Sequence, residues 1–270
     1  MNAPALIDTH CHLDFESYDG DRPAVLFRAR EAGVIAVINP AVDLASSAAI
    51  CQLAASEPLI FGAVGIHPNS STDFVAAQVD ELRALARQPR VVAIGEIGLD
   101  YYRDRSPRQT QHRALEAQLE LAAALALPVI LHNREATADV LAILRGWVGS
   151  LPADHPLRGR PGVLHSFSGT ADDAAQAVEL GFYVGITGPI TFKNADALRR
   201  VAAALPDDRL LIETDGPFLT PHPHRGERNE PAYVRLVADR IAGVRLSAYE
   251  TVAAQTTRNA IRLFALPVHG

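Results

Sequence analysis

The chain has 270 residues, 48% hydrophobic and 21% charged, with a formal net charge of −6. These proportions are those of a globular protein, no apolar run is long enough to cross a bilayer, and the acidic balance excludes a broad basic footprint for duplex nucleic acid. A nucleic acid would have to be gripped locally. The start "MNAPALIDTH" lacks the basic residues and long apolar segment of a secretory signal, so a cytoplasmic location is expected. Cys11 and Cys51 fall in apolar elements, where free thiols act as small hydrophobes.

Short β-rich runs alternate with helical patterns along the whole chain. "ALIDTH" is followed by "PAVLFRAREAG", "VIAVIN" by "ASSAAICQLAAS", and "LIFGAVGIH" by "DFVAAQVDELRALARQ". "VVAIGEIG" then precedes "RQTQHRALEAQLELAAALA", and "PVILHN" precedes "ATADVLAILRGW". After a polar stretch, "VLHSFSG" leads to "ADDAAQAVELG", "FYVGITG" to "NADALRRVAAALP", and "RLLIETDGP" through a loop to two closing helical segments. The strands read as continuous apolar runs, which suits parallel strands covered on both faces. Eight βα units in a chain of this length predict a (β/α)8 TIM barrel with an additional C-terminal helix, one domain over residues 1–270. An open doubly wound sheet is the competing topology, but no Gly-rich phosphate loop follows the first strand.

In such a barrel the C-terminal strand ends form the active-site face. Strand one ends in His10 and His12, whose i and i+2 spacing turns both imidazoles to one face while Cys11 faces away. Strand four ends in Glu96, strand five in His132, strand six in His165 and strand eight in Asp215. Each alone has an ordinary structural explanation, as a hydrogen-bonded histidine or a helix cap. Together they form a metal constellation, because closure brings all the strand ends around one axis. Four imidazoles and two carboxylates exceed what one catalytic ion takes while keeping a position open, so two divalent ions are expected. Glu96, central in the strand order, is the natural bridge, with His10, His12 and Asp215 completing one site and His132 and His165 the other. Such a shell favours Zn, Mn, Co or Ni over Mg.

The stretches "IDTHCHLD", "GEIGLDYY", "LHNR", "LHSFSG", "ETDGPFLTP" and "RGERNEPAYV" resemble, in order and over nearly the whole chain, the motifs of the TatD family of metal-dependent deoxyribonucleases, amidohydrolase-like TIM barrels. The resemblance implies a metal-dependent phosphodiesterase trimming DNA from its 3′ end, with the same six ligands. Three positions depart from the family pattern: Asn133 stands where a small hydroxyl residue is usual, His222 where the loop is apolar, and Glu227 where a basic residue is common.

Two ions about 4 Å apart activate a water and align it with a phosphorus. Asp215 is the expected proton acceptor and Glu96 the catalytic bridge. The only lysine, Lys193, lies after strand seven, away from a bridging position. Substrate contacts are expected from Arg134, from Arg225, Arg228 and Asn229 in the loop after strand eight, and from His67 at the end of strand three. Tyr101 and Tyr102 offer stacking surfaces to a terminal base, one of them against ordinary packing. The "HPH" of His222 and His224 is left outside the metal set. The expected partner is the single-stranded or frayed 3′ end of DNA, acted on by a monomer away from membranes. A competing enzyme reading is an ester or amide hydrolase such as a D-aminoacyl-tRNA deacylase; a different class is a binding protein on a retired barrel, which would have lost a ligand.

Overall fold

A computed structural model describes residues 4–103 and 105–268. Eight parallel strands pair in sequence order: β1 (Leu6–Asp8), β2 (Val34–Pro40), β3 (Ile60–Val64), β4 (Val91–Asp100), β5 (Val129–Arg134), β6 (Gly162–Leu164), β7 (Tyr183–Ile186) and β8 (Leu210–Ile212). Between and after them run α1 (Arg22–Glu31), α2 (Leu44–Ser56), α3 (Ala77–Leu85), α4 (Arg108–Leu125), α5 (Thr137–Ser150), α6 (Ala171–Glu179), α7 (Asp196–Ala204), α8 (Val234–Arg245) and α9 (Tyr249–Phe264). The ring closes just beyond β1 and β8, where Thr9 N donates to Ile212 O, Asp215 N to His10 O, and Cys11 bridges to Gly216. This is the (β/α)8 barrel expected from the alternation of runs, with α9 as the additional helix. No helix among the described residues is long and apolar enough to cross a membrane.

Two apolar layers hold the barrel together. One lies between strands and helices; the other fills the interior with Ile7, Ile38, Phe61, Ile130, Tyr183 and Leu211. The interior layer is completed from α9 by Ala260, Leu263 and Phe264. That helix is tied to the strand starts, since Thr257 Oγ1 donates to Ala5 O and Asn259 Nδ2 to Leu210 O. The N-terminal end of the barrel is therefore an apolar floor, which leaves the polar strand ends to converge at the other end. Cys11 and Cys51 are buried free thiols, as expected from their apolar settings.

β4 carries an irregularity that concerns the site. Ile94 pairs with Val129 and Ile97 with Leu131, so β4 holds one residue more than β5 over this stretch. Such a bulge re-aims a side chain, and here it lies around Glu96. Glycines flank it for steric reasons: a Cβ on Gly95 would come 2.7 Å from that of Ile130, and one on Gly98, at φ 147°, would collide with the carbonyl of His132. The run "GEIGLD" is thus a bulged strand passing close to its neighbour.

Candidate metal centre and active site

Glu96 is buried, and its two oxygens face two sets of imidazoles. Oε2 lies 3.4 Å from His10 Nε2 and 3.7 Å from His12 Nε2. Oε1 lies 2.9 Å from His132 Nδ1, 3.1 Å from His165 Nε2 and 3.6 Å from His67 Nε2. Asp215 Oδ1 completes the first side, 3.7 Å from His10 Nε2 and 3.8 Å from His12 Nε2. All six residues expected from strand ends come together, with His67 as a seventh neighbour. His10 and His12 do so although β1 ends at Asp8: the bridge from Cys11 to Gly216 keeps the extended alternation, so Cys11 points away toward Tyr18. Asp215 sits at φ 58°, a left-handed conformation that is strained for a non-glycine residue and is found preferentially at functional sites.

The donor set fits a cation. His12 Nδ1 lies 3.1 Å from Pro40 O, a carbonyl that only accepts, so that nitrogen carries the proton. Burial, reinforced by His10, pulls the His12 pKa down to about 3, which keeps the ring neutral and leaves a lone pair on Nε2. That lone pair faces a second imidazole nitrogen 3.2 Å away and two carboxylates. A lone pair aimed at other acceptors in a buried pocket is what metal ligation resolves. His10 Nδ1 and His165 Nδ1 are also buried without hydrogen-bond partners. His67 is different: its Nδ1 accepts from Asn69 N, and burial holds its pKa at about 3, so the neutral ring presents an N–H from Nε2. It is a donor aimed into the site.

Electrostatics divide the carboxylates. Burial alone would raise Glu96, but His165, His67 and His10 outweigh it and hold the carboxyl well below its usual range. Asp215 stays above its usual value, because burial prevails over the attraction of His165 and His10. In the other direction, burial opposes charge on His132 and His165. Asp100 and Glu96 overcome it for His132, Glu96 and Glu213 for His165, and both imidazoles are pushed up.

Three further carboxylates organise this shell, and none was anticipated from strand ends. Asp100 Oδ2 lies 3.2 Å from His132 Nε2 and is itself held by Asn69 Nδ2, while its other oxygen accepts from Tyr102 N and Arg103 N. Glu213 Oε1 lies 3.5 Å from His165 Nδ1 and accepts from Ser166 N, with Thr9 Oγ1 donating to Oε2. Asp8 accepts from Thr214 N, Thr214 Oγ1 and His10 N, fastening the end of β1 to that of β8; burial raises its pKa to about 8. A signal was present for all three. Asp8 stands two residues before His10, Glu213 two before Asp215 and Asp100 four after Glu96, spacings that strand alternation assigns to the same face.

The expected substrate contacts separate at the rim. Arg134 ends β5 exposed, 4.9 Å over the ring of Tyr102, which is 58% exposed. Tyr101 is engaged elsewhere, its hydroxyl bonded to His112 and Asp139. Arg225 is exposed over the ring of Phe192. Arg228 forms a two-pronged pair with Asp21, at 2.8 and 2.7 Å, and bonds Ser17 O. Asn229 is fully buried and donates to the carbonyls of Thr214 and Phe218. The last two therefore brace the loop instead of facing the metal shell. Among the departures, Asn133 Nδ2 donates to Thr137 Oγ1 at the start of α5. His224 stacks on Tyr233 and lies 3.1 Å from Glu227, so Glu227 has a partner within its own loop. His222 is exposed, and its backbone N donates to Thr191.

The family described as TatD related DNase matches residues 7–265. A Bacillus subtilis protein named uncharacterized metal-dependent hydrolase YabD is 40% identical over 261 residues, 97% of this chain and 99% of that protein. A Klebsiella pneumoniae protein named 3′-5′ ssDNA/RNA exonuclease TatD is 35% identical, covering 98% of this chain and all of its own length. The crystal structure of YjjV, a TatD homolog from Escherichia coli K12, superposes with a TM-score of 0.89 at 35% identity, over 97% of this chain and 98% of that one. Barrel, clustered His and carboxylate groups and similarity agree, and the chain belongs to the TatD-related DNase family of metal-dependent hydrolases.

Proposed function

We propose that this hydrolase removes nucleotides from the 3′ end of single-stranded or frayed DNA, with two divalent ions held on either side of Glu96. The observation that carries the reading is the division of Glu96, with Oε2 toward His10 and His12 and Oε1 toward His132 and His165. The relative from Klebsiella, whose name specifies a 3′-5′ ssDNA/RNA exonuclease, adds support from similarity. What such a pair of ions supplies is acidity toward water and positive charge beside a phosphate. Zn, Mn, Co or Ni suits so many imidazoles better than Mg.

The chain's own residues do the remainder. His10, His12 and Asp215 serve one side and His132 and His165 the other. His132 Nε2–H donates to Asp100, which leaves Nδ1 toward Glu96; second partners of this kind set ring orientation and tautomer. Asp215, with its raised pKa, accepts the proton of the attacking water. His67 donates from Nε2 to a phosphate oxygen, while Arg134 and Arg225 hold neighbouring phosphates and Tyr102 offers a ring. Arg228 and Asn229 contribute by bracing the loop that carries Arg225. The reading takes the protein as a cytoplasmic monomer.

The test sets end-labelled linear DNA against a covalently closed single-stranded circle, across a panel of divalent metals. Stepwise loss of 3′ nucleotides with the circle intact is the expected result. Comparable cleavage of the circle would show an endonuclease, and hydrolysis of carboxylic esters with no attack on DNA would move the substrate class to acyl compounds.

A further inference from the structure

The mouth above Glu96 is lined unevenly. Tyr102 and Arg134 stand on the β4 and β5 side. Across the barrel, where β1 meets β8, rings lead outward from the metal shell. His12 stacks on Phe15 with centroids 4.7 Å apart and planes 20° from parallel, and Phe15 meets Phe218 edge-on at 6.1 Å. Phe218 is 53% exposed, and Leu219 beside it is exposed as well. The position is rigidly held: Phe218 N donates to Asp215 O at 2.9 Å, and its own carbonyl accepts from the buried Asn229 at 2.6 Å. The backbone that presents Phe218 is therefore the backbone that presents Asp215, and it cannot shift at this position without breaking both bonds. A large apolar side chain fixed in water beside a charged centre contributes little to folding, since its burial is incomplete.

We propose that Phe218, backed by Phe15, is the stacking surface for a nucleobase adjoining the scissile phosphate, a contact that selects unpaired ends. The inference rests on the nuclease reading above. An edge-on contact with Phe15 engages at most one face of Phe218 and leaves the other for a base. Every base has a π face, so the contact tolerates any sequence. A base inside a duplex is already stacked and cannot turn its face to the ring, whereas a frayed one can. Phe218 is two ring-to-ring contacts from the His12 imidazole. The rigid link through Asp215 then couples correct seating of the base to correct placement of the phosphate.

The test uses the metal-loaded, full-length protein and single-stranded oligonucleotides that are intact or abasic at the terminal or the penultimate 3′ position. Base–aromatic stacking of about 1–3 kcal/mol converts to a KM about 5- to 150-fold higher for the abasic substrate in the wild type. In Phe218→Ala that ratio falls toward one, and Phe218→Trp restores it. A ratio that persists in Phe218→Ala, or a wild type indifferent to the missing base at both positions, overturns the stacking surface while leaving the nuclease reading intact. If the wild type hydrolyses bis(4-nitrophenyl) phosphate but no oligonucleotide, the nuclease reading itself fails, and the stacking surface with it.

Discussion

The candidate metal shell and the loop after β8 are both dense in polar side chains, yet they use them in opposite ways. Around Glu96, polar groups from six strand ends are buried or half-buried and turned toward one another, with lone pairs and carboxylates facing a shared centre. In the loop from Pro221 to Glu230, Arg228 is taken by Asp21, His224 lies against Glu227 and Tyr233, and Asn229 donates to the carbonyls of Thr214 and Phe218. Only Arg225 of the expected loop contacts keeps an exposed head. Polar side chains at the barrel mouth are thus held in register by paired backbone and are available for chemistry, whereas those in an irregular loop are used to define the loop's shape.

The strongest way to break this comparison is Glu96→Ala. Removing the carboxylate that both imidazole sets share should reduce hydrolysis by more than about 100-fold and lower bound metal, exceeding the effect of losing a supporting residue. The barrel should remain folded, because the interior layer and the α9 floor are packed independently of the site. Metal analysis, circular dichroism and turnover read these separately. Full activity would remove the bridge.

A smaller effect is expected one layer out. Glu213→Gln keeps the shape of the side chain but removes the charge beside His165, and a loss of about 10- to 100-fold in metal affinity should follow, measured by titration with a chelator-buffered metal. Metal uptake should also release protons near neutral pH, since His132 and His165 are pushed up by their carboxylates and must give up protons to ligate. Affinity therefore falls as pH is lowered. Calorimetry in buffers of different ionisation enthalpy would show whether the protons leave.

The smallest effects sharpen the division within the loop. Asn229→Ala should cost about 1–3 kcal/mol of stability by leaving buried carbonyls unpaired, visible as a lower melting temperature. Arg225→Ala should leave the melting temperature unchanged, raise KM for DNA and reduce the slope of log affinity against log salt by about 0.7, the release expected from one phosphate contact on a single strand. A melting shift in Arg225→Ala with no change in salt slope would place it with the bracing residues.

The sequence by itself determined the barrel and the six convergent side chains. Apolar runs alternating with helical periods leave few foldable solutions, and closure of parallel strands makes every strand end a neighbour of every other. The supporting carboxylates Asp8, Asp100 and Glu213 were within reach of the same logic, since strand alternation puts each on the face of the candidate ligand of its own strand. What only the tertiary structure decided lies where the backbone leaves the sheet. Whether an arginine in "RGERN" faces substrate or Asp21 depends on the start of α1, 207 positions away, and no local period encodes it. Whether Tyr101 or Tyr102 stays exposed depends on His112 in α4 and Asp139 in α5. The edge-on contact of Phe15 and Phe218 likewise exists only because β8 returns beside β1. Periodicity reports on which face a residue shares; the partner it meets there is set by long-range closure, which no local stretch of sequence contains.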